Sequence, residues 1–430
     1  MAAAAPSAYP PATRREILSW AMFDFANSSY TTVIVTVGFA NYFTRLIAPP
    51  GRGDSLWGLG ILLGNLFVLL LSPIVGAVAD DSGRKKFFVA VTYAMCVVGT
   101  ALLYFATPGH ATLALTFFVI SFIGFSFSEN LAGAFLPEIS TPATIGRISG
   151  LGWGLGYFGG LACLFLVRPL LGGGFVLENL PNLRLIPVVT ALFFLLAALP
   201  TFLFLRERAP RGTRSAMEYV RAGFQRIAAT ASSIRHFSEL VKFLTVFFVF
   251  SMGLTSVVAF AGIYAEQTMG FTPGELIALF MVLQLSSAAG AFFFGWVQDR
   301  LGAARTIQMA LVVWILVCVG AYFATTKGMF WVVGLAAGLG IGSLQSASRG
   351  LVGLFSPPEK SGEFFGFWGL AGKGAYMLGP FAFGLISSAS GSQRVAMLGI
   401  LIFFLLGLVG MAFIDERRGQ AEAEAWNERR

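Results

Sequence analysis

The chain has 430 residues, 56% of them hydrophobic and only 12% charged; a soluble domain carries about 25% charged residues, so this composition excludes an ordinary water-soluble fold. Its formal net charge is +8, but the basic residues cluster in short loops between apolar runs, where they report membrane orientation and not nucleic-acid binding. Two histidines, together with Cys96, Cys163 and Cys318, each inside an apolar run and in no CxxC pair, argue against a metal site or a disulfide frame; no cofactor is expected.

From Met1 to Thr13 the chain is rich in Ala and Pro, and Arg14-Arg15 follow. A secretory signal would place charge first and a short cleavable apolar stretch second, so residues 1–17 read as a flexible cytoplasmic tail before a retained helix. Apolar runs long enough to span a bilayer as helix then recur. In the first half they cover 18–46, 55–79, 86–106, 111–136, 147–171 and 184–205; in the second, 241–265, 274–297, 304–325, 328–355, 363–389 and 394–414. The pattern predicts an all-α integral membrane protein of about twelve helices. Its parts are a six-helix bundle over 18–205, a second over 241–414, a hydrophilic linker over 206–240 and a C-terminal tail over 415–430. Within the linker, Met217, Val220, Phe224, Ile227, Ala231, Ile234 and Phe237 recur at three- and four-residue spacing. That spacing predicts an amphipathic helix on the inner membrane surface, either a tether between the halves or a lipid-sensing element.

One stretch occurs twice. Gly76-Ala-Val-Ala-Asp80-Asp-Ser-Gly83-Arg84-Lys85-Lys86 is echoed by Gly295-Trp-Val-Gln-Asp299-Arg-Leu-Gly302-Ala-Ala-Arg305, at an offset of 219 residues. At that offset Gly150-Leu151 map onto Gly369-Leu370, and Gly160 onto Gly379. Matching landmarks in the same order predict a duplicated, parallel-repeat membrane protein. The loops with Arg84-Lys85-Lys86, Arg147, Arg300 with Arg305, and Lys360 lie on one side, and both termini join it through Arg14-Arg15 and Arg417-Arg418. The positive-inside rule makes that side, and both termini, cytoplasmic.

Gly76 and Gly83 permit a close helix approach and a tight turn. Asp80, at a cytoplasmic helix boundary, can face the positive end of a helix dipole and act as a releasable latch. This G-x-x-x-D-x-x-G-R-K form resembles the loop between helices 2 and 3 of the major facilitator superfamily, matched by Gly76, Asp80, Gly83, Arg84 and Lys85. Gly295, Asp299 and Gly302 match a second copy with Ala303 in place of Arg, which predicts a looser latch there. A narrower resemblance is carried by Phe23-Asp24-Phe-Ala-Asn27-Ser28, Gly146-Arg147-Ile-Ser-Gly150 with Gly154-Leu-Gly156-Tyr157, Gln345-Ser-Ala-Ser348-Arg349 and Glu363-Phe-Phe-Gly366. Together they are similar to the vacuole-effluxer-like branch, bacterial permeases related to fungal vacuolar amino-acid exporters. The resemblance implies a secondary active transporter of the bacterial cytoplasmic (inner) membrane, working by alternating access as a permease. Amino-acid efflux is the implied activity, and Arg147 and Glu363 are implied members of the latch.

A charge inside a span should face a cavity or a partner. Asp24 and Glu129 are the acids of the first half, and Arg349 and Lys373 are the bases of the second. Acid against base at similar depth suits permanent ion pairs, a gate between the halves, or a zwitterion held directly. In the last case the carboxylate would seek Arg349 or Lys373 and the amine Asp24 or Glu129. Asp24 and Glu129 are the candidates for proton coupling, with downhill flux the alternative. Asn27, Tyr30, Asn130, Gln284 and Gln345 enlarge the candidate site, with Trp153, Tyr157, Trp368 and Tyr376 as walls.

Gly150 to Gly160 contains a G-x-G pattern but lies within a span and lacks a preceding strand, so it reads as a strip for helix packing. Gly369-Leu-Ala-Gly372-Lys373 lacks phosphate-loop spacing, which argues against ATP-driven transport. The expected partners are a small polar solute, protons where coupling operates, and membrane lipid, with the chain acting as a monomer. An exporter of amphiphiles on the same fold is the nearest rival reading. A membrane-embedded enzyme would need a catalytic cluster, and a non-transporting sensor would use the linker as its output.

Overall fold

The computed structural model describes residues 11–209, 218, 219, 221 and 237–428. These residues are overwhelmingly helical and contain no strand. Ten helices are long and apolar enough to cross a membrane. Two further segments complete the twelve. One is the opening run from Arg14 to Ile47; the other is Ser361–Ser390, whose apolar character is diluted by Gly, Ser and Lys373. Most of the amphipathic segment expected over 206–240, from Met217 through Ile234, lies outside the described residues.

The first span departs from a simple helix for a local reason. It opens with a capping box in which Glu16 N donates to Thr13 Oγ1 and Thr13 N donates back to the Glu16 carboxylate, and runs as α-helix over Arg14–Ser29. The β-branched run Thr31 to Val37 then crowds each preceding turn, and Tyr30–Val37 widens to a π-helix. Side chains fill the widened turns: Thr36 Oγ1 donates to the Thr31 carbonyl at 2.8 Å, and Asn41 Nδ2 to that of Val37 at 2.8 Å. A short π-turn also ends the seventh span, over Tyr264–Thr268. The fifth span, Ile145–Leu171, lies tight against the first because Gly152, Gly156 and Gly159 leave room for Asp24, Ser28 and the Phe25 backbone.

The halves meet along two seams. The second span, Gly53–Ser82, packs on the eleventh, Ser361–Ser390, and the fifth packs on the eighth, Pro273–Leu301. The 219-residue offset exchanges these seams, as a duplicated two-bundle fold requires. Glycines set the approach. A Cβ on Gly76 would overlap the Gly362 carbonyl, and Gly146 and Gly150 lie against Gly295 and Ala291. Hydrogen bonds between the halves join 24, 80, 85 or 146–149 to 299, 346–349 or 358–363. The bundles are therefore fastened on the side of the two repeated loops.

Candidate functional site

On that fastened side each repeat places one aspartate on the N-terminus of a helix from the other half. The second span ends at Gly83, whose φ of +60° only glycine adopts without strain, and this turn leaves Asp80 at the tip. Asp80 Oδ1 accepts from Gly362 N at 3.0 Å and Oδ2 from Glu363 N at 2.9 Å, so its charge meets the positive end of the eleventh helix. Lys85 Nζ lies 3.2 Å from Asp80 and 2.7 Å from Glu138, and donates to Ser361 Oγ and the Pro358 carbonyl. The second copy repeats the design: Asp299 Oδ1 accepts from Gly146 N at 2.8 Å and Arg147 N at 3.3 Å, at the start of the fifth helix. Among the described residues its one cation partner is Arg147, 3.5 Å away and 63% exposed, where the first copy has a buried lysine. Arg84 is exposed and forms no ion pair among the described residues. Glu363 contributes its backbone N–H to Asp80, while its carboxylate lies 3.7 Å from Lys360.

Deeper in, Arg349 crosses the interface. Its Nη1 donates to Asp24 Oδ2 at 2.6 Å, its Nη2 to the Ser149 carbonyl at 2.8 Å and its Nε to Ser149 Oγ at 3.2 Å. Trp20 and Trp153 flank the guanidinium with ring centroids 4.9 and 5.3 Å from Cζ. Each nitrogen of the guanidinium thus has an acceptor, and the planar ion is held against two aromatic faces.

Glu129 and Lys373 stand apart from this pair. Both are half-buried, and neither forms an ion pair among the described residues. Lys373 reaches from the eleventh span to the fourth, Ala111–Gly133, with Nζ 5.2 Å from the Phe122 ring and 5.7 Å from that of Phe125. Phe122, Phe125 and Glu129 are spaced i, i+3, i+7 and share a helix face.

The other expected residues divide. Asn130 donates to Ser72 Oγ at 2.8 Å and lies against Gly369 across the interface. Gln345 and Gln284 are half-buried, the latter beside Gly160. The Trp153 and Tyr157 rings lie tilted with centroids 6.0 Å apart, the indole N–H and the phenol oxygen lacking a partner among the described residues. Asn27 is buried with its Oδ1 unpartnered, and Tyr376 is 38% exposed. Tyr30 is turned into its own bundle, stacked on Phe125 at 4.9 Å and bonded to Ser121 Oγ at 2.7 Å, so it is not brought to the others. The 219-residue offset relates Asn130 to Arg349, and Tyr157 to Tyr376. It also relates Gln284 to Asn65, a residue missed in the sequence whose buried amide has no partner on either atom. A lone Asn in the apolar run Leu62 to Leu71 was the available signal. Outside the spans, Glu207 accepts from Lys86 N at 2.8 Å, and burial pushes its carboxyl above the ordinary glutamate range.

These features recur in known proteins. A family model described as "Vacuole effluxer Atg22 like" matches residues 62–424. An uncharacterized MFS-type transporter, YxiO of Bacillus subtilis, is 26% identical over 426 residues, covering 95% of this chain and 97% of that one. Autophagy-related protein 22-2 of Aspergillus clavatus is 27% identical over 287 residues, 60% of this chain and 46% of that protein, so the chain matches under half of the fungal relative's length. In structure the chain is similar to the human organic anion transporter MFSD10 (TETRAN), with a TM-score of 0.73 and 16% identity, covering 94% of this chain and 100% of that one. With the family model matched over residues 62–424 and the two-bundle helical fold, the chain is a transporter of the major facilitator superfamily and belongs to its vacuole effluxer Atg22-like family.

Proposed function

We propose that this transporter moves a small zwitterion of the amino-acid class out of the cell by alternating access, across the bacterial cytoplasmic membrane, with both termini inside. The observation that carries the reading is the contrast between two sets of charges. Arg349 has its donors committed to Asp24 and Ser149, which suits a gate. Glu129 and Lys373 sit on opposite halves, half-buried and without ion pairs among the described residues, which suits a site awaiting a ligand of both signs. An ammonium group would pair with Glu129 and a carboxylate with Lys373, and the faces of Phe122 and Phe125 favour a cation beside them. Binding across the seam ties the solute to both halves, so it can move with the rocking of one bundle against the other. Glu129 is the preferred proton carrier: an alternating solute ammonium would change the charge it faces at each turn of the cycle.

The test is uptake by proteoliposomes of a labelled amino-acid mixture, with and without a pH gradient. Flux abolished in Glu129→Gln and in Lys373→Ala supports the reading. Transport of a fluorescent lysolipid without amino-acid flux would replace it with an amphiphile exporter.

A further inference from the structure

The C-terminal segment, expected to be a tail, contains the helix Glu416–Glu428, and this helix touches both places where the second half engages the first. At its start, Glu416 Oε2 accepts from Ala304 N at 3.0 Å and lies against Gly302, capping the ninth helix, Ala303–Phe323, directly after the Asp299 latch. In its middle, Glu422 accepts from Ser238 Oγ at 2.7 Å and Glu239 N at 3.1 Å, capping the seventh helix, and Gly419 fits against the Phe355 ring. Near its end, Trp426 packs on Phe237 with centroids 5.3 Å apart, and Lys360 Nζ lies 4.4 Å from the indole. Phe237 in turn meets Phe364 edge-on at 4.8 Å, next to the Glu363 N–H that Asp80 holds.

We infer that this helix is a brace that sets both latches, with Glu416 and Trp426 as its positioning residues. Glu416 fixes the loop that carries Asp299. Trp426 fixes the 358–364 turn that presents the backbone N–H groups to Asp80. Each latch needs its carboxylate and its helix terminus aligned to within hydrogen-bond tolerance. A shift of either loop therefore weakens closure on this side without touching the solute site. Because the carboxylates of the brace bind helices of their own half, the brace travels with that half and need not dissociate in the cycle.

The inference rests on the alternating-access reading, and one set of samples separates the two. Spin labels are placed on exposed Ala143→Cys and Leu301→Cys in the full-length protein in lipid nanodiscs, and the distance distribution is measured without solute. A minor conformation typically holds about 0.1–10% of molecules. Trp426→Ala and Glu416→Gln should each raise the long-distance population about tenfold, and Trp426→Phe should restore the parent distribution. Asp80→Asn serves as the control. If Asp80→Asn lengthens the distance and neither brace variant does, whatever their melting temperatures, the brace is overturned. If Asp80→Asn leaves it unchanged, the alternating-access reading itself is lost. Should Trp426→Ala fail to fold, Glu416→Gln alone decides.

Discussion

Replacing Asp80 by Asn should open the fastened side far more than the same change at Asp299. The carboxylate of Asp80 uses both oxygens on backbone N–H groups of the eleventh helix and faces the Lys85 ammonium at 3.2 Å. An amide keeps one acceptor, so one charge-assisted bond is lost, worth about 1.5–3 kcal/mol. The remaining bond and the helix-dipole interaction also weaken with the charge, by about 0.3–1 kcal/mol. Lys85 keeps Glu138 at 2.7 Å, so no buried cation is stranded. The sum is about 2–4 kcal/mol, and each 1.4 kcal/mol is about tenfold in an equilibrium. Asp299 also loses backbone bonds, but the Arg147 bond is long at 3.3 Å and the Arg147 side chain is 63% exposed, which leaves its ion pair worth about 0–1 kcal/mol. The open-to-closed ratio, read from the Ala143–Leu301 label distance, should therefore rise by at least about thirtyfold in Asp80→Asn and by clearly less in Asp299→Asn. Equal effects, or a larger one at Asp299, would refute the ranking and with it the claim that the buried Lys85 network makes the first latch the stronger.

Gly76→Ala should also prevent closure, since its Cβ would overlap the Gly362 carbonyl, whereas Gly58→Ala, with open space around it, should leave the distance distribution unchanged. Arg349→Ala strands the Asp24 carboxylate, whose side chain is 14% exposed, and should cost about 3–5 kcal/mol in thermal-unfolding measurements; Asp24→Asn in the same chain should recover much of that loss. Arg147→Ala, at an exposed side chain, should change stability by less than about 1 kcal/mol and flux by little.

The twelve spans were legible because apolar length is a property of each segment alone. The repeated aspartate was legible because a fixed offset shows up in one dimension. What the sequence left open were partners chosen in three dimensions. The motif offers both Arg84 and Lys85 as the latch cation, and only the turn after Gly83 decides that Lys85 faces inward and Arg84 outward. Tyr30 lies close to Asp24 in sequence, yet six residues on a helix are about 120° from the same face, so it packs into its own bundle. Helical periodicity contained that answer. The C-terminal helix was hidden for another reason. Its partners, Ala304, Ser238, Phe355 and Lys360, come from four separate segments, and a short polar helix carries no signal of such a dock.

The most direct test of the account is counterflow of labelled amino acids in proteoliposomes of the purified protein, comparing the parent chain with Glu129→Gln and Lys373→Ala. The expected result is exchange by the parent and its loss in both variants, while the label distances of the variants still show a fastened side. Exchange that survives in both variants would contradict a zwitterion site built from Glu129 and Lys373.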